Sequence, residues 1–213
     1  MPEARQSGER RAGERQSGER QAGTRRRGTA LEATILEAAW EELAAVGYSR
    51  LTMEGAAARA RTGKQVLYRR WRNRAELVIA ALRHRTGSIA DRIPDTGDLR
   101  GDVLAVLRQM AQRHRDIGAD VIHGLLADAP DLDPRFFAIM NDVMGTVLKR
   151  AAERGELTFT DLSPRVVTLP ADLLRHEMLL TRHPLAEATL VEIVDDVFLP
   201  LIRATASASP HDK

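Results

Sequence analysis

Apolar residues spaced three and four positions apart are the feature that most constrains this fold. In the first such segment, Ile35, Ala38, Ala39, Leu43 and Val46 fall on one face of an α-helix. Similar spacing continues towards the C-terminus, and no stretch alternates with the two-residue period of a β-strand. Aromatic residues make up only 4% of the chain, so aliphatic side chains and alanine must build the core. The sequence therefore predicts an all-α protein.

Capping and helix-breaking residues divide this pattern into about nine helices. The predicted positions are 30–46, 52–60, 64–71, 73–84, 99–117, 119–128, 134–153, 164–182 and 186–205. Thr52 and Asn73 are expected N-caps, and residues 61–63 form a turn. Pro170 lies inside the eighth helix, so we expect it to kink that helix or to delay its start.

Charge is distributed unevenly along the chain. Residues 1–28 and 29–86 each carry a net charge of +4, whereas residues 87–213 carry −6, for a total of +2. A basic end on an otherwise acidic chain is typical of a protein whose one end faces a polyanion.

The first 28 residues have a composition of their own. They contain a repeated pentad, read as RQSGE, RRAGE, RQSGE and RQAGT. The glycine in each repeat weakens a helix by about 1 kcal/mol, and no apolar face compensates. We therefore expect a disordered Arg/Gly-rich tail. The tail is a basic arm that contacts phosphates, or else it has no such role. In the second case it is a solvated appendage, or it results from a start codon assigned too early.

Several function classes lack support in the sequence. The chain has no cysteine, which excludes disulfides, thiolate zinc sites and cysteine nucleophiles and fits a reducing cytoplasm. It has no signal-peptide core and no apolar run long enough for a membrane span. None of the six histidines forms a metalloprotease pair, and no phosphate-binding glycine loop or nucleophile elbow occurs. We expect no cofactor, no metal, no membrane contact and no enzymatic activity.

The segment KQVLYRRW at 64–71 contains the side chains that are the best candidates for a binding site. On a helix, Leu67 and Trp71 share one face and pack inward, which leaves a polar, cationic face outward. That outward face comprises Gln65 and Arg69, flanked by Lys64 and Tyr68. Arginine, lysine and glutamine can read base edges in a major groove, and a tyrosine hydroxyl can reach a phosphate. Taken alone, the octapeptide is more typical of an ordinary basic surface helix.

The longer stretch 29–86 resembles the TetR family of bacterial transcriptional regulators. The resemblance lies in ILEAAWEELAAVGYSRLTM at 35–53 and KQVLYRRWRNRAEL at 64–77, which match the family's helix-turn-helix. It implies phosphate contacts from Thr52, Tyr68, Arg70 and Arg74, and base contacts from Lys64, Gln65 and Arg69. This chain departs from the pattern at Arg61, Thr62 and Gly63, where glycine, an apolar residue and serine are common, and at Ala56, where a larger aliphatic is usual. These departures thin the local core and weaken the cap of the third helix.

The C-terminal part matches less distinctly. RHEMLLTRHPL at 175–185 and the helix after it look like the last two helices of one subtype, which implies a dimerising four-helix interface and an effector pocket. The expected dimer seam is Leu173, Leu174, Val194, Val197, Phe198 and Leu201; an intramolecular core is the alternative. The expected ligand residues are His123, Met140, Arg175, His176 and Met178, which suit a hydrophobic or aromatic molecule.

These observations predict three parts: a tail at 1–28, a helix-turn-helix DNA-binding domain at 29–86, and an effector-binding and dimerisation domain at 87–213. The predicted function is a cytoplasmic, homodimeric repressor that binds a palindromic operator in double-stranded DNA and is released by a small hydrophobic ligand. Two alternatives are an effector-independent DNA-binding protein and a small helical enzyme.

Overall fold

A computed structural model describes residues 28–128, 135–157, 162–181 and 183–207. Every regular element in these ranges is helical, which confirms the predicted all-α fold. The chain divides into two compact units between Arg85 and Thr86.

The first unit contains four α-helices. They are α1 at 28–46, α2 at Met53–Arg59, α3 at Lys64–Tyr68 and α4 at Arg74–Thr86. Helix α3 ends three residues earlier than predicted, because the amides of both Arg70 and Trp71 bond to the carbonyl of Leu67 and the chain turns there. Trp71 remains buried, so the expected inward face is kept.

The second unit contains the remaining helices. They are α5 at Leu99–Ile117, α6 at Ala119–Ala127, α7 at Arg135–Glu153, α8 at Pro164–Leu180, α9 at Glu187–Glu192 and α10 at Leu199–Ser207. A π-helical segment, Ile193–Phe198, joins α9 and α10 into one continuous helix. Helix α8 begins at Pro164, as predicted, because the missing N–H of a proline is not needed in the first turn. It runs on through Pro170, so of the two effects expected of Pro170 the delayed start does not occur.

A buried ion pair ties the start of α5 to the end of α7. The side chain of Asp102 is fully buried and lies 2.9 Å from a guanidinium nitrogen of Arg154. The amide and hydroxyl of Thr96 donate to the same carboxylate at 2.5 and 2.8 Å. Arg154 also contacts Glu156, whose carboxylate accepts the amide of Leu99 at 2.7 Å. Each buried charge is thus compensated, as a low-dielectric interior requires.

Candidate nucleic-acid interface

Helices α2 and α3 form a helix-turn-helix in the first unit. Thr52 caps α2, because its hydroxyl accepts the amide of Gly55 at 3.0 Å. The turn is closed by the amide of Thr62, which donates to the carbonyl of Ala57 at 3.0 Å. Gly63 stands at the N-cap of α3 and offers no side-chain acceptor, as the sequence predicted. The start of α3 therefore has no side-chain cap.

Two buried side chains orient α3. Leu67 is fully buried, and Trp71, just past the helix, is 8% exposed; both join the core that α1, α2 and α4 build. The opposite side of α3 carries Gln65 and Arg69, both exposed, and Tyr68 is 48% exposed. The residues predicted to meet bases therefore lie on the solvent side of a helix whose inner side is anchored.

The cations around α3 differ in how they are engaged. Lys64 lies 3.5 Å from a carboxylate oxygen of Glu54, with both side chains exposed. Arg70 is half-buried, and its guanidinium donates to the carbonyl of Val66 at 3.2 Å. The guanidinium of Arg74 lies over the ring of Tyr48 at 4.9 Å. Arg70 and Arg74 are thus held in place by the protein itself, which limits the conformations that their side chains can adopt.

Tyr48 and Arg61 are two residues in this region to which the sequence analysis assigned no functional role. Tyr48 is buried beneath Arg74, and the signal for it was the Gly-aromatic turn after α1. Arg61 adopts a left-handed backbone conformation, with φ of 52°. The sequence feature that pointed to this conformation was an arginine at a position where the family commonly has glycine.

A second candidate site lies in the C-terminal unit. The ring nitrogen Nε2 of His123 donates to the backbone carbonyl of Met178 at 3.0 Å, so two of the predicted ligand residues are brought together. Next to them, His114 is only 5% exposed, and its Nε2 has no hydrogen-bond partner within the described ranges. Burial, and then the nearby His123 and Arg115, lower the pKa of His114 below its ordinary value. A sequence pattern gives no signal for a buried, unpartnered histidine.

The other predicted ligand residues lie elsewhere. Met140 is half-buried and packs against the apolar core of the C-terminal unit. Arg175 forms an ion pair with Asp172 on its own helix, and His176 is exposed. His176 therefore does not share the interior position of Met178, because two residues along a helix turn the side chain by about 200°.

For half of the predicted dimer seam, burial in the single chain favours the alternative, an intramolecular core. Leu174, Val194 and Phe198 are fully buried within the chain itself, so their side chains belong to the core and have no surface to offer a partner. The other three remain available: Leu173 and Leu201 are half-buried, and Val197 is 42% exposed.

The π-helical segment explains which residues of this helix are buried. A regular α-helix would carry the buried face from Leu190 and Val194 on to Val197 and Leu201. The wider π turn inserts one extra residue, so Phe198 and Ile202 enter the core instead. The displaced residues form an outer stripe on α10 and the π-helical segment, at Val197, Pro200, Leu201 and Ala204.

Helix α8 packs against the π-helical segment and carries a matching stripe. Its outward positions follow i, i+4, i+7 and i+11 spacing, at Leu169, Leu173, His176 and Leu180. Leu180 is 71% exposed, although the sequence analysis did not select it. Within the described ranges, no helix is both long and apolar enough to cross a bilayer.

Comparison with known proteins gives two family matches. The model described as "Bacterial regulatory proteins, tetR family" matches residues 35–81. The model described as "Tetracyclin repressor-like, C-terminal domain" matches residues 93–197.

Individual relatives agree with these matches. A protein of Mycobacteroides abscessus named DNA-binding transcriptional repressor TetR is 35% identical over 185 residues, which cover 79% of this chain and 92% of the relative. An uncharacterized HTH-type transcriptional regulator of Mycobacterium tuberculosis is 32% identical over 166 residues, covering 75% of this chain and 82% of that protein. A crystal structure of a TetR-family regulator from Mesorhizobium loti superposes with a TM-score of 0.56 at 18% identity, over 82% of this chain and 98% of that one; this last likeness concerns the fold alone.

Proposed function

The chain belongs to the TetR family of bacterial transcriptional regulators, and from that premise we propose that it is a homodimeric repressor of a palindromic operator, released by a small hydrophobic ligand. The family membership makes it a DNA-binding transcriptional regulator and not an enzyme. Repression is proposed because a relative that covers most of the chain is named a repressor. Since its target is chromosomal DNA, the cytoplasm is the proposed location.

One observation carries the proposed way of reading DNA: the solvent side of α3 presents Gln65 and Arg69 while Leu67 and Trp71 anchor its other side. Neither Gln65 nor Arg69 has a side-chain partner among the described residues, so both are available to base edges. We assign base contacts to Lys64, Gln65 and Arg69. Phosphate contacts are assigned to Thr52, Tyr68, Arg70 and Arg74.

Competition binding against a library of single-base operator variants tests this division. Replacing Gln65 or Arg69 with Ala is expected to cost about 1–3 kcal/mol per contact and to relax preference at particular base pairs. Arg74→Ala is expected to weaken binding to all sequences alike and to lower the salt dependence. Arg83→Ala is the matched control, because Arg83 is an exposed cation late in α4. The orientation of α3 is wrong if Arg74→Ala alters base preference and the other two variants do not.

Dimerisation is proposed through the outer stripes of α8 and of the helix that follows it. Leu173 and Leu180 on one helix, and Val197 and Leu201 on the other, are apolar and accessible in the single chain. A symmetric pair of such faces gives a four-helix contact. A two-fold axis then relates the two copies of α3, so the operator must be palindromic, with half-sites about one helical turn apart or more.

The proposed effector site lies where His123 meets Met178, beside the unpartnered imidazole of His114. An apolar surrounding with a few polar groups suits a hydrophobic or aromatic molecule. This assignment makes residues 87–213 the effector-binding and dimerisation domain, and residues 29–86 the DNA-binding domain.

Release of the operator by a panel of neutral aromatic molecules, followed by fluorescence anisotropy, tests the effector proposal. An effective molecule is expected to be about 5- to 150-fold weaker on His123→Ala, since loss of a hydrogen bond at this half-buried site costs about 1–3 kcal/mol. The exposed His176→Ala is the control. A complex that resists every such molecule favours the alternative, an effector-independent DNA-binding protein.

A further inference from the structure

The turn between α2 and α3 contains a strained residue. Arg61 has φ of 52° and is the one non-glycine residue with positive φ among those described. A side chain with a Cβ atom is disfavoured in this left-handed region, whereas glycine adopts it freely. Glycine at this position would therefore give a more stable turn. Strain of this kind persists at a site where the residue serves another purpose.

The charge of Arg61 is also unusual in its surroundings. Neighbouring cations are neutralised: Arg59 donates to Glu42 at 2.8 Å, and Arg72 donates to Glu76 at 2.7 Å. Arg61 and Arg69 are exposed and have no ion pair or hydrogen bond with any residue the structure describes. These two guanidinium groups stand just before and just after α3.

An unpaired, solvated guanidinium on the backbone turn that leads into a groove-reading helix is well suited to an anion. Arginine binds phosphate through two parallel N–H donors, and its long side chain extends beyond the turn. Because the left-handed backbone is set by the amides of Arg61 and Thr62, which donate to the carbonyls of Ala58 and Ala57, the side chain starts from a fixed position. Pre-positioning lowers the entropy lost on binding.

We propose that Arg61 binds a DNA backbone phosphate next to the major groove that α3 enters, and that the strained turn is the cost of placing a cation there. The inference rests on the proposed function, since it requires α3 to meet DNA. It adds to that function a contact from the turn itself.

The test compares three variants of the full chain on one fixed duplex, the footprinted part of the protein's own upstream region. Arg61→Gly and Arg61→Asn remove the charge and relax the backbone, because glycine and asparagine tolerate positive φ. Arg61→Lys keeps the charge and the strain. Thermal unfolding and the salt dependence of affinity are measured for each.

Stability and DNA binding are expected to move in opposite directions. Arg61→Gly should raise Tm by about 2–4 °C and should reduce the slope of log affinity against log salt by about 0.9 per protomer. Arg61→Asn should follow it, and Arg61→Lys should keep the wild-type slope and Tm. Arg83→Ala, which removes an exposed cation from α4, should leave the slope unchanged.

An unchanged salt slope in Arg61→Gly and Arg61→Asn overturns the proposal, whatever their Tm. That failure is distinct from failure of the proposed function. In the first case the wild-type protein still gives a footprint that Gln65→Ala and Arg69→Ala weaken; in the second, the wild-type protein gives no footprint, or one that those variants leave unaltered.

Discussion

Truncation of Leu180 to alanine should weaken the proposed dimer by a predictable amount. Leu180 is 71% exposed in the single chain, and complete burial of a leucine side chain stabilises by about 1.5–3 kcal/mol. Burial of the exposed fraction is therefore worth about 1–2 kcal/mol in each protomer. A symmetric interface contains the residue twice, so the dimer loses about 2–4 kcal/mol, which raises its Kd roughly 30- to 700-fold.

Sedimentation equilibrium over a range of protein concentrations measures this Kd directly. Leu31→Ala is the matched control, because Leu31 is an exposed leucine, at 37%, on α1 in the other unit. Its Kd should equal that of the wild-type protein. The same Leu180→Ala variant should also lose affinity for a full palindrome while keeping its weaker affinity for a single half-site.

Two results would refute the reasoning. A wild-type protein that is monomeric at micromolar concentration has no such interface. A dimer whose Kd changes by the same small factor in Leu180→Ala and Leu31→Ala associates through another surface.

Three further predictions concern stability and the tail. Arg154→Met leaves the buried Asp102 carboxylate without its cation and should lower the free energy of unfolding in urea by about 3–5 kcal/mol. Adding Asp102→Asn to this variant should recover part of the lost stability, and a double variant with no recovery would contradict the coupling between the two residues. Because burial lowers the pKa of His114, the unfolded chain takes up this proton first as the pH falls below about 6.5. The protein should therefore lose up to about 1.4 kcal/mol of stability per pH unit from this group, and a urea-melt series in which His114→Gln loses as much as wild type would count against it. Removing residues 1–28 should leave folding intact and flatten the salt dependence of DNA binding; an unfolded product or an unaltered slope rules out the basic arm.

Helix positions were the most predictable part of the fold, because the signals for them are local. Asp98 caps α5 by accepting the amide of Gly101 at 2.8 Å, and Gly118 ends the same helix with φ of 91°. The predicted range, 99–117, and the observed one agree for that reason. The end of α3 was less predictable, because the residues after Tyr68 continue a helical pattern while their amides converge on a single carbonyl.

The dimer seam was less predictable because two registers of one helix are both apolar. Val197 and Leu201 continue the spacing of a regular helix, and Phe198 and Ile202 continue that of a helix with one π turn. Burying phenylalanine and isoleucine removes more apolar surface than burying valine and leucine, so packing favours the second register. A prediction from periodicity uses the spacing of apolar residues alone and therefore selects the first register, with Val197 and Leu201.

The shortness of α3 links fold to function. A five-residue helix is unstable in water by itself, because the free energy needed for nucleation exceeds what the hydrogen bonds of one turn contribute. Gly63 also supplies no side-chain cap. The helix therefore exists because Leu67 and Trp71 are buried against its neighbours. Its inner face consequently controls the position of Gln65 and Arg69. In the proposed base contacts, the two apolar residues would therefore act by positioning Gln65 and Arg69, without touching a base themselves.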